Sequence, residues 1–230
     1  MIDPIWQRKF VGLHSKYIIM RKPITLIAIS IAIMSMTGCM SSFYGTQYKY
    51  TYSLTETPNQ IVLDSNSVMH FEDSIISVDF TIGQKQVAFA MKNKTQSTVK
   101  IVWDETLFIK FDNPGKVMHS GVKYNERNSS QPPSVIPGGT VHEDVIIPTD
   151  NIYWRDGYYS SGYSRPGGWE ERDLFATQDL NKPDIKNAIL ASKGLEFRVF
   201  MPLQVNGVNK EYNFKFKILN VAPVVKTTSR

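Results

Sequence analysis

The chain has 230 residues, 42% hydrophobic and 20% charged, the balance of a globular protein and not of a disordered one. Its formal charge of +5 is concentrated in residues 1–38, where five basic side chains (Arg8, Lys9, Lys16, Arg21, Lys22) meet one acid (Asp3); the remainder holds 21 basic and 20 acidic residues, which removes bulk charge as a reason to expect nucleic-acid binding. A single cysteine, Cys39, excludes an intramolecular disulfide and a four-cysteine zinc site.

Residues 24–36 form an uncharged, mostly apolar run, preceded by Arg21 and Lys22 and followed by Thr37, Gly38 and Cys39. As a helix this run would span roughly 20 Å, against about 30 Å of bilayer hydrocarbon. It is short for a membrane span and has the size and positive flank of a signal-peptide core. Met20-Arg21-Lys22 makes an ordinary signal start, so translation is expected to begin at Met20, with residues 1–19 a misassigned start.

Met36-Thr37-Gly38-Cys39 resembles the lipobox of bacterial lipoproteins: an apolar residue, two small residues, then cysteine. The resemblance covers residues 20–40 only. It implies a signal peptide over 1–38, attachment of diacylglycerol to the Cys39 sulfur, cleavage before Cys39, and acylation of the new amino group by a fatty acid such as palmitate. Two or more chains give a stable anchor where one gives marginal binding. Met40 stands where an aspartate would retain such a protein in the inner membrane. The resemblance therefore favours an outer-membrane anchor facing the periplasm, with the inner membrane and the cell surface still open.

Residues 39–58 are polar and read as a lipidated tether, with an early strand at Tyr48–Leu54; residues 59–230 read as the folded domain. Within it, alternation of apolar and polar residues with a period of two marks half-buried strands. Ile76–Ile82 and Gln84–Lys92 alternate cleanly. Val99, Ile101 and Trp103 follow a polar turn at 93–96, then Leu107, Ile109 and Phe111, closed by a turn at Asp112-Asn113-Pro114-Gly115. Val117–Tyr124 and Val141–Ile147 are further strands, separated by a proline-marked loop at Pro132, Pro133 and Pro137. Residues 152–180 read as a long inserted loop rich in Tyr, Trp and Gly. A short helix is predicted over Pro183–Lys193, with proline at its start and Gly194 as its stop.

The C-terminal hairpin carries the sharpest local signal. Leu195, Phe197, Val199, Met201, Leu203 and Val205 alternate up to Asn206-Gly207; Val208, Tyr212, Phe214, Phe216 and Ile218 alternate away from it. A two-residue Asn-Gly loop favours a type I′ turn, which pairs Val205 with Val208, Met201 with Tyr212, Val199 with Phe214 and Phe197 with Phe216. The whole reads as all-β: an antiparallel, immunoglobulin-like β-sandwich in the loose architectural sense, with a long aromatic, glycine-rich loop and one short helix.

Chemistry-bearing patterns are sparse. His70, His119 and His142 stand apart in sequence. His142 and Asp144 would share a strand face, and Val141, Val145 and Ile147 assign that face to solvent. There is no G-x-S-x-G, H-E-x-x-H or phosphate-binding loop, and the carboxylate pairs Asp104-Glu105 and Glu170-Glu171 fit solvated charge better than a glycosidase site. No catalytic residue, metal site or cofactor is expected. The candidate contact surface is Trp154, Tyr158, Tyr159, Tyr163 and Trp169, whose rings either dock a partner or fold back over the domain as a lid. The functional expectation is a non-enzymatic envelope lipoprotein, held to the membrane through lipid on Cys39, that binds or scaffolds another envelope component. The alternative is a carbohydrate- or peptidoglycan-binding module that uses the loop at 153–169.

Overall fold

The computed structural model describes residues 45–58 and 69–224. The signal segment and Cys39 lie outside the described residues. The described chain is all-β apart from one helix. Its strands are β1 (Tyr48–Glu56), β2 (His70–Glu72), β3 (Ile76–Ile82), β4 (Val87–Asn93), β5 (Val99–Ile101), β6 (Leu107–Lys110), β7 (Asn113–Met118), β8 (Ser134–Ile136), β9 (Val141–Pro148), β10 (Ile152–Arg155), β11 (Tyr158–Ser160), β12 (Tyr163–Arg165), β13 (Gly168–Glu171), β14 (Glu196–Val205) and β15 (Val208–Pro223); α1 spans Pro183–Ala191.

Eleven strands form one antiparallel sheet in the order β1-β15-β14-β6-β7-β9-β4-β3-β2, with β5 bridging β14 and β8. Strand β7 joins the two halves, pairing Leu107 with Lys116 on one side and Met118 with Ile147 on the other. Hydrogen bonding thus runs from half to half, and the sheet curls until it nearly closes into a barrel. Its interior is aromatic. Phe80 of β3 meets Phe214 at 4.8 Å and Phe216 at 5.2 Å, edge on, while Phe197 stacks on Phe216 at 5.2 Å. Phe197, Phe214 and Phe216 are fully buried, each contributing roughly 1.5–3 kcal/mol of burial.

The hairpin β14–β15 has the predicted register at all four pairs, from Val205↔Val208 to Phe197↔Phe216. Asn206 (φ 50°) and Gly207 (φ 80°) supply the two positive φ angles of the turn. Strand β1 forms where expected and pairs with β15 from Tyr48↔Pro223 to Glu56↔Lys215, so residues 48–56 belong to the sheet and not to a tether. Helix α1 buries Ile189 against the core.

Three local expectations are corrected. The β6–β7 turn falls at Phe111-Asp112 (φ 50° and 63°), two residues earlier than the proline suggests, because Pro114 sits within β7 opposite Ile109. In β6 the inward residue is Phe108, which faces Val199 across β14; Phe111 is 44% exposed. The expected strand Val117–Tyr124 ends at Met118, and Tyr124 lies in a 3-10 turn.

Candidate functional site

The aromatic segment is a projecting two-stage β-hairpin rather than a loop. Strands β10 and β13 pair from Ile152↔Glu171 to Arg155↔Gly168, and β11 and β12 continue from Tyr158↔Arg165 to the Ser161-Gly162 tip. The root rests in a second, smaller core outside the main one. Ile152 is buried there with Met118 and Ile147, and Val122, Tyr124, Val145 and Trp169 pack around them. The Arg127 guanidinium lies 4.8 Å from the centre of the Trp169 ring, and its NH1 donates to the Tyr124 carbonyl. The Tyr124 hydroxyl donates to Glu171.

On the other face of the arm, Glu170 accepts from the Arg155 Nε, from Arg165 and from the Tyr153 hydroxyl. Arg155 and then Tyr153 hold the Glu170 carboxyl below the usual carboxylate range. This clamp ties the inner stage to the outer one, since Arg165 belongs to β12. Of the five candidate rings, Trp169 turns into the small core, and Trp154 packs against it edge on at 5.6 Å. Trp154, Tyr158, Tyr163 and Tyr159 stay exposed, at 52, 59, 62 and 75%. Rings folded back as a lid would be covered; these four are not. Strand alternation puts Tyr158 and Tyr163 on one face, their rings 6.5 Å apart and inclined by 45°, and Tyr159 on the opposite face.

A second cluster was legible only in part: the sequence pairs His142 with Asp144 on one strand face and gives no sign of His119. Asp144 and His142 lie on the same side of β9 as the fully buried Ile146, so the expected solvent face is the inward one. The inversion has a physical cause: Val145 and Ile147 on the outer face are covered by the arm's small core. The Asp144 side chain is 3% exposed, and its Oδ1 accepts the Ser120 and Val145 backbone N–H groups at 2.9 and 2.8 Å. Two imidazoles approach Oδ2, His119 Nδ1 at 3.2 Å and His142 Nε2 at 3.3 Å, off the line of a hydrogen bond. The His119 ring stacks on buried Trp103 at 4.5 Å. Burial on its own pushes the Asp144 carboxyl up; Ser120, the Val145 N–H and His119 outweigh it and leave the group below its ordinary range.

The remaining sequence candidates are structural. Asp104 accepts from the Ser130 hydroxyl and the Gln131 N–H, pinning the loop that follows β7, and Glu170 and Glu171 both serve the arm. His70 sits at the surface, 2.7 Å from Asp79. Among the described residues, no group of three or more His, Cys, Asp or Glu is arranged to hold a metal ion, and no helix is long and apolar enough to cross a membrane. Comparison of the chain with protein-family models, with curated proteins and with solved structures finds no match.

Proposed function

We propose that this chain is a non-enzymatic lipoprotein of the bacterial cell envelope, anchored through lipid on Cys39, whose aromatic arm docks a protein component of that envelope. The observation that carries the docking role is the exposure of Trp154, Tyr158, Tyr159 and Tyr163 on a hairpin whose base is locked by packing and by the Glu170 clamp. The outer stage, residues 157–164, consists of Gly, Tyr and Ser alone. That mixture suits protein recognition: tyrosine offers wide amphipathic contact at low entropic cost, and serine and glycine adapt around it. The anchor rests on Met36-Thr37-Gly38-Cys39, the uncharged apolar run before it and the basic flank at Arg21 and Lys22.

The second reading, a carbohydrate- or peptidoglycan-binding module, is favoured by the same exposed rings. It needs a platform of rings on one face, and the division of Tyr159 from Tyr158 and Tyr163 weighs against it. Architecturally, we read the near-barrel as an opened relative of an immunoglobulin-like sandwich, because β3 and β15 pack across the core from one another, Phe80 meeting Phe214 and Phe216 edge on.

Crosslinking in intact cells, with mass-spectrometric identification of the captured species, tests the docking role. A defined protein adduct that disappears in the triple variant Tyr158→Ala, Tyr159→Ala, Tyr163→Ala supports it. Retention of every adduct in that variant refutes it, and capture of glycan fragments alone transfers the site to the second reading. Cys39→Ser should leave the precursor uncut and unlabelled by radioactive palmitate; normal labelling refutes the anchor.

A further inference from the structure

One end of the barrel gathers exposed apolar side chains and lysines around the point where the described chain begins. Gly45 lies against Asp179, Leu180 and Asn181, and Val224 donates its N–H to the Gln47 carbonyl. Helix α1 starts from this spot, since the Lys182 N–H bonds to the Asp179 carbonyl, and Gly194 after the helix bonds to Ile218. The β6–β7 turn is at the same end, because Lys110 and Phe197 are paired and Phe197 follows directly on this segment. Phe111, Leu180, Leu190, Leu195 and Val224 are all 40–51% exposed here. Along residues 180–195, Lys182, Lys186 and Lys193 outnumber the single acid Asp184, and exposed Lys49 sits opposite Ala222 in the β1–β15 pair. Asp112 at the neighbouring turn is paired to Arg198 at 2.9 Å, and Glu196 opens β14.

Gly45 is the sixth residue after Cys39. Covalent geometry lets six residues span at most about 20 Å, while α1, with nine residues, is about 14 Å long. A lipid on Cys39 therefore keeps Gly45, and the end it packs on, within about 20 Å of the headgroups, about one and a half times the length of α1. We infer that the end bearing Leu180, Leu190, Leu195, Val224 and the α1 lysines is a membrane-apposed face that rests on an anionic lipid surface. The proposal rests on the lipid-anchor reading. The short reach selects this end over the opposite one, where Val135, Val141 and Val208 are also exposed. Half-exposed Leu and Val side chains suit the headgroup boundary, and lysines suit anionic headgroups.

The test attaches the lipid chemically, so that orientation and native lipidation fail separately. The mature chain beginning at Cys39 is coupled through its thiol to a maleimide phospholipid in nanodiscs of phosphatidylglycerol and phosphatidylcholine carrying a headgroup spin label. Methyl NMR then reads proximity to the label. Broadening of Leu180, Leu190, Leu195 and Val224, with Val135, Val141 and Val208 left sharp, is the expected result. Uniform broadening, no broadening, or broadening strongest at the arm overturns the proposal even if palmitate labelling confirms Cys39. Conversely, the expected pattern with no palmitate labelling in cells leaves the face intact and removes the native anchor. As a second readout, unlipidated protein should lose binding to vesicles of the same lipids by about fivefold for each of Lys182→Gln, Lys186→Gln and Lys193→Gln. These residues are exposed, so the fold is retained; unchanged binding in the triple variant overturns the proposal.

Discussion

Replacing Asp144 tests the reading of the inward polar cluster. Asp144→Ala removes an acceptor that takes two backbone N–H groups at 2.8 and 2.9 Å and lies within 3.3 Å of two imidazoles. Hydrogen bonds to charged groups contribute roughly 1.5–3 kcal/mol each. Water entering beside exposed Ser120 offsets part of this, so we expect a loss of about 3 kcal/mol, a fall in Tm of roughly 6–12 °C for a domain of this size. Asp144→Asn keeps the shape and one acceptor and should lose about 1–2 kcal/mol. Because the folded carboxyl sits below its unfolded value, its contribution is complete above about pH 5 and disappears as pH falls through the folded value. The stability gap between wild type and Asp144→Asn should therefore be largest at neutral pH and narrow progressively as pH falls below about 4. Urea unfolding followed by tryptophan fluorescence measures it, with Trp103 stacked on His119 as a local reporter. A variant as stable as wild type at pH 7, or a gap that does not change between pH 7 and pH 3, refutes the assignment.

Trp169→Ala should empty the small core and cost about 2 kcal/mol locally; amide exchange across residues 152–172 should then accelerate at least tenfold while exchange in β14 and β15 stays unchanged. Gly45→Ala places a Cβ 2.3 Å from the Asp179 Oδ1 and within 2.7 Å of two backbone nitrogens, at a φ of +77°. It should detach residues 45–47 from the turn at 179–181, seen as proteolytic nicking there, at a cost of about 1–3 kcal/mol. Gly207→Ala should destabilise by about 1 kcal/mol through its positive φ, read in the midpoint of urea unfolding.

Much of the barrel was legible because its strands obey one rule at a time. In β14 and β15, turn chemistry and alternation select the same register, and the structure has it. In β6 and β9 the pattern misled, each time because more than one environment buries the strand. Phe108 points inward although Leu107 and Ile109 look like the core face, since the outer face of β6 is itself half-buried and carries apolar side chains of its own. Val145 and Ile147 look like core residues of the sheet and in fact support the arm. The arm's composition was visible, but its hairpin pairing was hidden by the short strands and intervening glycines. The meeting of His119 with Asp144 had no local signal, because it depends on where β7 ends beside β9.

The small core beneath the arm separates two tasks. Ile152, Trp169 and Tyr124 hold the hairpin without help from the phenylalanines inside the barrel. Tip residues can therefore be exchanged one by one while the body of the domain keeps its melting behaviour. A scaffold arranged this way can drift toward a new binding target without passing through unfolded variants.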